Sequence, residues 1–162
     1  MKKIPLIPLF IVLFSVSIFA LDLEDELLDA INSNDLEHVR KLIKQGADIA
    51  AIDKKVGLLQ HCAYGNVSLD IIKLLIEHGA DINKKGYKEG GTVLFYAAQN
   101  SNFELVEYLI KVGADINTRD DYGGTALMSA AWGGHAEMVL FLLKNGADPN
   151  LVDFDGRTAL DI

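Results

Sequence analysis

The sequence predicts an all-α fold, a solenoid of helix-turn-helix units with short hairpin-like loops, and three observations predict it. The tetrad Gly46-Ala47-Asp48-Ile49 returns as Gly79-Ala80-Asp81-Ile82, as Gly113-Ala114-Asp115-Ile116 and as Gly146-Ala147-Asp148-Pro149, at spacings of 33, 34 and 33 residues. An apolar triad spaced i, i+3, i+4 precedes each tetrad: Val39, Leu42 and Ile43; Ile72, Leu75 and Ile76; Val106, Leu109 and Ile110; Val139, Leu142 and Leu143. That spacing makes one face of a helix. A shorter alanine-bearing segment stands before each of these helices, at Ala30-Ile31, Cys62-Ala63, Ala97-Ala98 and Ala130-Ala131, where small side chains let neighbouring helices approach closely. A fixed period of this length is the mark of a stacked repeat array.

The N-terminus reads as an address. Lys2 and Lys3 are followed by an uncharged run from Ile4 to Leu21, and Asp22 opens an acidic stretch. A basic start, an apolar middle and small Ala20 fit a secretory signal peptide over residues 1–20, cut after Ala20, with Ser15-Val16-Ser17 as an alternative cut. The rival reading is an uncleaved anchor, because the run reaches the lower limit for spanning a bilayer. Pro5 and Pro8 would disturb the first turns of such a helix. No Cys lies near the cut, so a lipoprotein anchor is not supported. Both readings export the folded part, to the periplasm or the medium if cleaved and to a membrane surface if not.

Residues 21–162 then form the repeat domain, with repeats at about 24–50, 51–83, 84–117 and 118–150 and a partial unit at 151–162. Glycine ends each second helix, because it accepts the left-handed conformation a C-cap requires. Asn34 with Glu37 and Ser101 with Glu104 have capping-box spacing and mark two helix starts. Polar, Gly-bearing turns such as Asp120-Asp121-Tyr122-Gly123-Gly124 join one helix pair to the next. The first repeat lacks such a turn and carries Glu24, Asp25, Glu26 and Asp29, as a polar N-terminal cap should. The last unit opens with Asp153 to Leu160 but has no second helix, which leaves the apolar flank of the fourth repeat partly covered. Such an end is open to fraying, to pairing with a partner or to continuation in a longer chain.

Gly123-Gly124-Thr125-Ala126-Leu127, then Ala130-Ala131-Trp132-Gly133-Gly134-His135, then Leu142-Leu143 and Gly146-Ala147-Asp148-Pro149-Asn150 together resemble an ankyrin repeat, and the other copies follow the pattern more loosely. With its leader, the chain resembles an exported, bacterial-type ankyrin repeat protein. The resemblance implies a non-catalytic platform for a protein partner, with no cofactor. It also exposes departures. The family's Thr-Pro-Leu-His segment lacks its His, the slot holding Leu28, Gln60, Phe95 and Met128, so apolar contacts are expected to replace the hydrogen bonds that tie neighbouring loops. Gly57 stands where Thr belongs, and the second repeat is one residue short between Asp53 and Gly57 and one long around Leu69. That repeat is the expected weak point.

Chemistry has no candidate residues. His38, His61, His78 and His135 occupy different repeats without metal-site spacing, and His135 reads as structural. Asp48, Asp81, Asp115 and Asp148 lie one repeat apart, about 10 Å between packed helices, too far to share a calcium ion at bonds of about 2.3–2.6 Å. Gly90-Gly91-Thr92 and Gly123-Gly124-Thr125 lack the Gly-Lys-Ser/Thr of a phosphate loop. Cys62 is the only cysteine, so no intramolecular disulfide forms, and it reads as a small buried apolar residue. The net charge of −8 becomes −10 when the leader's two lysines are removed, which repels nucleic acid and anionic lipid and favours cationic partners.

One feature rises above this background. The fold presents its loop tips and the outward side of its first helices on one concave face. Those slots hold Tyr64, Tyr96 and Trp132 on the helices and Ile52, Tyr87, Tyr122 and Phe154 at the tips. Tyr and Trp are favoured at interface hot spots. Lys54, Lys55, Lys84, Lys85 and Lys88 add a basic edge, for which an acidic patch on the partner would be complementary. The expectation is a protein-binding face; the sequence does not say which partner.

Overall fold

The computed structural model describes residues 23–86 and 89–162; the leader, Tyr87 and Lys88 lie outside them. Every regular element among the described residues is a helix, and they fall into two compact units, one ending at Asp48 and one running from Ile49 to Ile162.

In the first unit, residues 23–32 form α1 and Leu36–Lys44 form α2. Leu27, Ile31, Val39 and Leu42 are fully buried, while Asp25, Glu26 and Asp29 are exposed, as a polar cap requires. His38 Nε2 meets Glu26 Oε1 at 3.0 Å, tying the two helices together. The cap of α2 is Asp35, not the expected Asn34: its carboxylate accepts from His38 N–H at 3.0 Å. Asn34 sits at φ +59, the left-handed turn position that Asn tolerates better than most residues. The same one-residue shift occurs at Ser101, which takes φ +53 while Asn102 caps the next helix by accepting from Leu105 N–H at 3.1 Å.

The second unit contains α3 (Ile49–Val56), α4 (Leu58–Tyr64), α5 (Leu69–Glu77), α6 (Val93–Gln99), α7 (Phe103–Lys111), α8 (Ala126–Trp132) and α9 (Ala136–Lys144). The first helices pack in series, α4 on α6 and α6 on α8, and α7 and α9 back α6 and α8. Ala97, Ala98 and Ala130 are fully buried in that series, which explains the small residues there. Thr92 and Thr125 cap α6 and α8, accepting from Phe95 N–H and Met128 N–H, each at 3.3 Å. Along the second helices, Ile72, Leu75, Val106, Leu109 and Leu142 are buried to 1% exposure or less and form the core, while the third triad positions Ile76 and Ile110 are half-buried. Val139 is only half-buried and Leu143 is exposed, so the flank of the fourth repeat is partly covered, as expected.

Side chains also lock one repeat to the next. In the last three tetrads the Asp accepts from the backbone two residues on: Asn83 N–H on Asp81, Asn117 N–H on Asp115 and Asn150 N–H on Asp148, at 2.9 to 3.0 Å. The Asn then reaches the following repeat, its Oδ1 accepting from Asp115 N–H for Asn83 and from Asp148 N–H for Asn117. The first tetrad has Ala50 in place of this Asn. The Ile-Ala-Ala-Ile-Asp-Lys-Lys-Val segment containing it forms α3, where a loop tip was expected. Ile52 is therefore a core residue, 1% exposed, not a tip residue.

Helix α3 carries Asp53, and Asp53 repairs what Gly57 lacks. Gly57 takes φ +62 and offers no side-chain cap, but Asp53 Oδ1 accepts from Leu58 N–H at 2.8 Å and caps α4 from inside. Asp53 also accepts from Asp81 N–H at 3.4 Å, and Lys84 Nζ pairs with its carboxylate at 3.6 Å. Asp53→Ala is expected to cost about 1–3 kcal/mol, because it strands the buried Leu58 N–H and removes the carboxylate beside Lys84. Denaturant titration checks this, and Asp53→Asn, which keeps the cap, should recover part of the loss. The extra residue of the second repeat is accommodated at Ser68, after Asn66 takes φ +55 and Val67 N–H closes on Cys62 O at 3.0 Å.

Residues 151–162 form the next tip but no helix among them. Thr158, which resembles a first-helix cap, gives both its N–H and its hydroxyl to Asp161 instead, and Leu160 stands 95% exposed.

Candidate protein-binding face

Three tips stand beside the first helices. Each is closed by one backbone bond: Gly86 N–H to Gly91 O at 2.9 Å, Asp120 N–H to Gly124 O at 2.8 Å and Asp153 N–H to Arg157 O at 2.9 Å. Neighbouring tips are joined in the same way, Asp121 N–H to Glu89 O and Phe154 N–H to Tyr122 O, both at 2.9 Å. Asp120 and Asp153 brace their tips with carboxylates. Asp120 Oδ1 accepts from Tyr122 N–H and Gly124 N–H, and Asp153 Oδ1 accepts from Asp155 N–H and Arg157 N–H. With Asp53 these form a series spaced by 67 and 33 residues, a signal present in the sequence.

On this frame the aromatic side chains emerge. Tyr64 is 77% exposed, Trp132 64%, Tyr122 63% and Phe154 74%, which for such large apolar surfaces is an unburied investment of area with no role in the core. Tyr96 is half-buried, its ring edge-on to Phe95 with centroids 5.4 Å apart. Tyr64 and Tyr96 share one groove with Gln60, His61 and the tip residues Gly86 and Glu89, a cavity of about 450 Å³. Tyr122 and Trp132 share a second, of about 220 Å³, floored by Met128 and Ser129 and edged by Arg157. Phe154 stands on the adjacent tip with the Arg119 guanidinium 5.7 Å from its ring centre. Four of the expected residues thus meet in two pairs; Phe154 stands apart against Arg119, Ile52 is buried, and Tyr87 lies outside the described residues.

Of the expected basic edge, Lys54, Lys55 and Lys85 are exposed, Lys84 is held by Asp53, and Lys88 lies outside the described residues. The tips also present Glu89, Asp121 and Asp155. The Tyr96 phenol is held above its ordinary range, first by burial and then by the carboxylates of Glu89, Asp120 and Asp121. Arg157 bridges Asp153 at 2.8 Å and Asp155 at 2.9 Å and lies 5.6 Å from the Trp132 ring centre.

That bridge makes the last tip sensitive to acid. The N–H of Arg157 is the first cause that holds the Asp153 carboxyl below its ordinary value of 3.8, and the Arg157 side chain adds to it. A depressed carboxylate contributes stability above its ordinary value and loses it as pH falls through the lower native one. Below about pH 3.8, amide exchange at Asp155 and Arg157 is therefore expected to accelerate before exchange in α6 and α8. Simultaneous acceleration would show that Asp153 does not hold the tip.

Other groups have structural work. His135 Nε2 lies 2.8 Å from Gln99 O, linking two repeats, and His78 Nδ1 lies 2.8 Å from Leu74 O. Gln60, in the slot of the missing His, donates its Nε2 to Lys84 O, so in that repeat a hydrogen bond persists where an apolar contact was expected. Cys62 is buried, and its thiol is pushed up to about 12 by burial and then by Asp53, out of reach of thiolate chemistry at neutral pH. Among the described residues no group of three or more His, Cys, Asp or Glu side chains is placed to hold a metal ion.

Helix pairs in series, closed by tips that bond to one another, define a helical repeat protein whose tips and first helices share one set of grooves. The family profile described as ankyrin repeats (3 copies) matches residues 27–120 and 58–153, and the chain belongs to the ankyrin repeat family. Ankyrin repeats are generally protein–protein interaction modules and typically non-catalytic scaffolds. A search of curated proteins found no match.

Proposed function

We propose that this chain is an exported, non-catalytic scaffold or accessory protein that binds a protein partner through its tips and first helices. The observation that carries the reading is the row of exposed aromatic side chains, Tyr64, Tyr122, Trp132 and Phe154, set beside two grooves. Large apolar surface exposed together in this way marks an interaction site. The negative charge of the chain disfavours nucleic acid as the partner.

Export is supported by the basic start at Lys2 and Lys3 and the uncharged run to Leu21. Among the described residues no helix is long and apolar enough to cross a membrane; in the tethered alternative the uncleaved leader is the anchor. N-terminal sequencing of the chain purified from its native cells tests this. Leu21 or Ile18 as the first residue is the expected result; Met1 in a membrane fraction would replace the free scaffold with a tethered adaptor.

A further inference from the structure

We infer that the groove between α4, α6 and the Glu89 tip receives a lysine or arginine side chain of the partner. The inference rests on the protein-binding reading above and adds the chemistry of one contact. Two tyrosines, Tyr64 and Tyr96, line the groove, and aromatic faces attract cations. Glu89 lines it from the tip, is exposed, and supplies a negative charge.

Gln60 gives the independent observation. Its side chain is 6% exposed and lines the same groove, yet its Oε1 has no hydrogen-bond partner. The amide cannot simply be turned over, because Nε2 donates to the carbonyl of Lys84 and an oxygen there would meet another acceptor. Oε1 therefore stays at the Gly57 wall of the groove, where a Cβ on that glycine would stand 3.0 Å from it. Buried acceptors without a partner are rare and costly. The Glu89 carboxylate and the amide oxygen are acceptors that a cationic donor matches and a carboxylate does not, and the ring faces accept both the cation and the alkyl stem that carries it. The −8 net charge of the chain favours the approach of such a group. The Tyr96 phenol, held up first by burial, is raised further by the carboxylates of Glu89, Asp120 and Asp121.

The test uses blocked tripeptides of glycine flanking arginine, lysine, methionine or glutamate, titrated into the full folded chain and followed by amide NMR. The arginine and lysine peptides are expected to shift Gly57, Gln60, Tyr64 and Tyr96 saturably, and the methionine and glutamate peptides to bind at least fivefold more weakly. Glu89→Gln and Tyr64→Ala, both at exposed positions, should each weaken the arginine peptide at least fivefold, and Asp70→Asn on α5 should leave it unchanged. Equal binding of the methionine peptide, an unchanged affinity in Glu89→Gln, or tighter binding of free spermidine than of either cationic peptide would overturn the inference. Partner binding by Trp132→Ala is measured in parallel. A loss there alongside an unaltered Glu89→Gln affinity would sink the cation site and leave the binding face standing.

Discussion

Leu142→Ala should cost about 2–5 kcal/mol and melt the C-terminal helix pair before the rest of its unit. Leu142 is fully buried on α9, so truncation removes its transfer energy and leaves a cavity that helices can only partly close around. The neighbourhood is also the least covered in the unit, with Val139 half-buried and Leu140 and Leu143 exposed on the same helix. In a repeat array each unit gains stability from its neighbours alone, so damage stays local until those neighbours fail. Hydrogen exchange should therefore rise first in α8 and α9 while α4 and α5 keep their protection. Leu109→Ala, equally buried but in the interior of the series, should cost a similar amount and lower protection on both sides. Uniform, simultaneous opening after Leu142→Ala would mean that the unit behaves as one indivisible core.

The period, the helix faces and the Ala-rich first helices were legible in the sequence because each rests on a local rule repeated four times. What was not legible came from single substitutions that change which local rule wins. At Asn34 and Ser101 two adjacent residues could each cap the next helix, and spacing to an acid favoured the first. The turn between helices needs a left-handed residue, however, and it claims that position, which leaves Asp35 and Asn102 to cap. At Ala50 the side-chain amide by which Asn83 and Asn117 reach the next repeat is missing, and the segment around it forms α3 in place of the expected tip. Comparing Ala50 with Asn83, Asn117 and Asn150 would have revealed this.

The candidate face was legible in part. Tyr64, Trp132, Tyr122 and Phe154 could be placed on it because the repeat register fixes which slots point outward, and all four are exposed. Ile52 failed for the same reason that α3 formed. The polar floor of the grooves was missed: Gln60 follows from its place in the slot of the absent His, but Ser129, buried with an unpartnered hydroxyl, has no signal in its own neighbourhood. The acidity of the tips was obscured by nearby lysines, one of which, Lys84, is held by a carboxylate that sequence alone places 31 residues away.

The most direct test of the binding face compares Trp132→Ala with Lys144→Ala against the partner captured by the unaltered chain. Trp132 is 64% exposed, and within the fold the contact its ring is seen to make with a cation is that of Arg157, worth about 0.5–1 kcal/mol at an exposed site. Folding stability should therefore change little. A tryptophan at the centre of an interface typically costs about 2 kcal/mol or more on truncation, close to thirtyfold in affinity. Lys144 lies in the last turn of α9, on a second helix away from the grooves. Circular dichroism on each variant separates lost binding from lost fold. The predicted result is a loss of at least about 2 kcal/mol of binding in Trp132→Ala, with Lys144→Ala close to the unaltered chain. Normal binding by a folded Trp132→Ala together with a loss in Lys144→Ala would contradict the account and move recognition to the second helices.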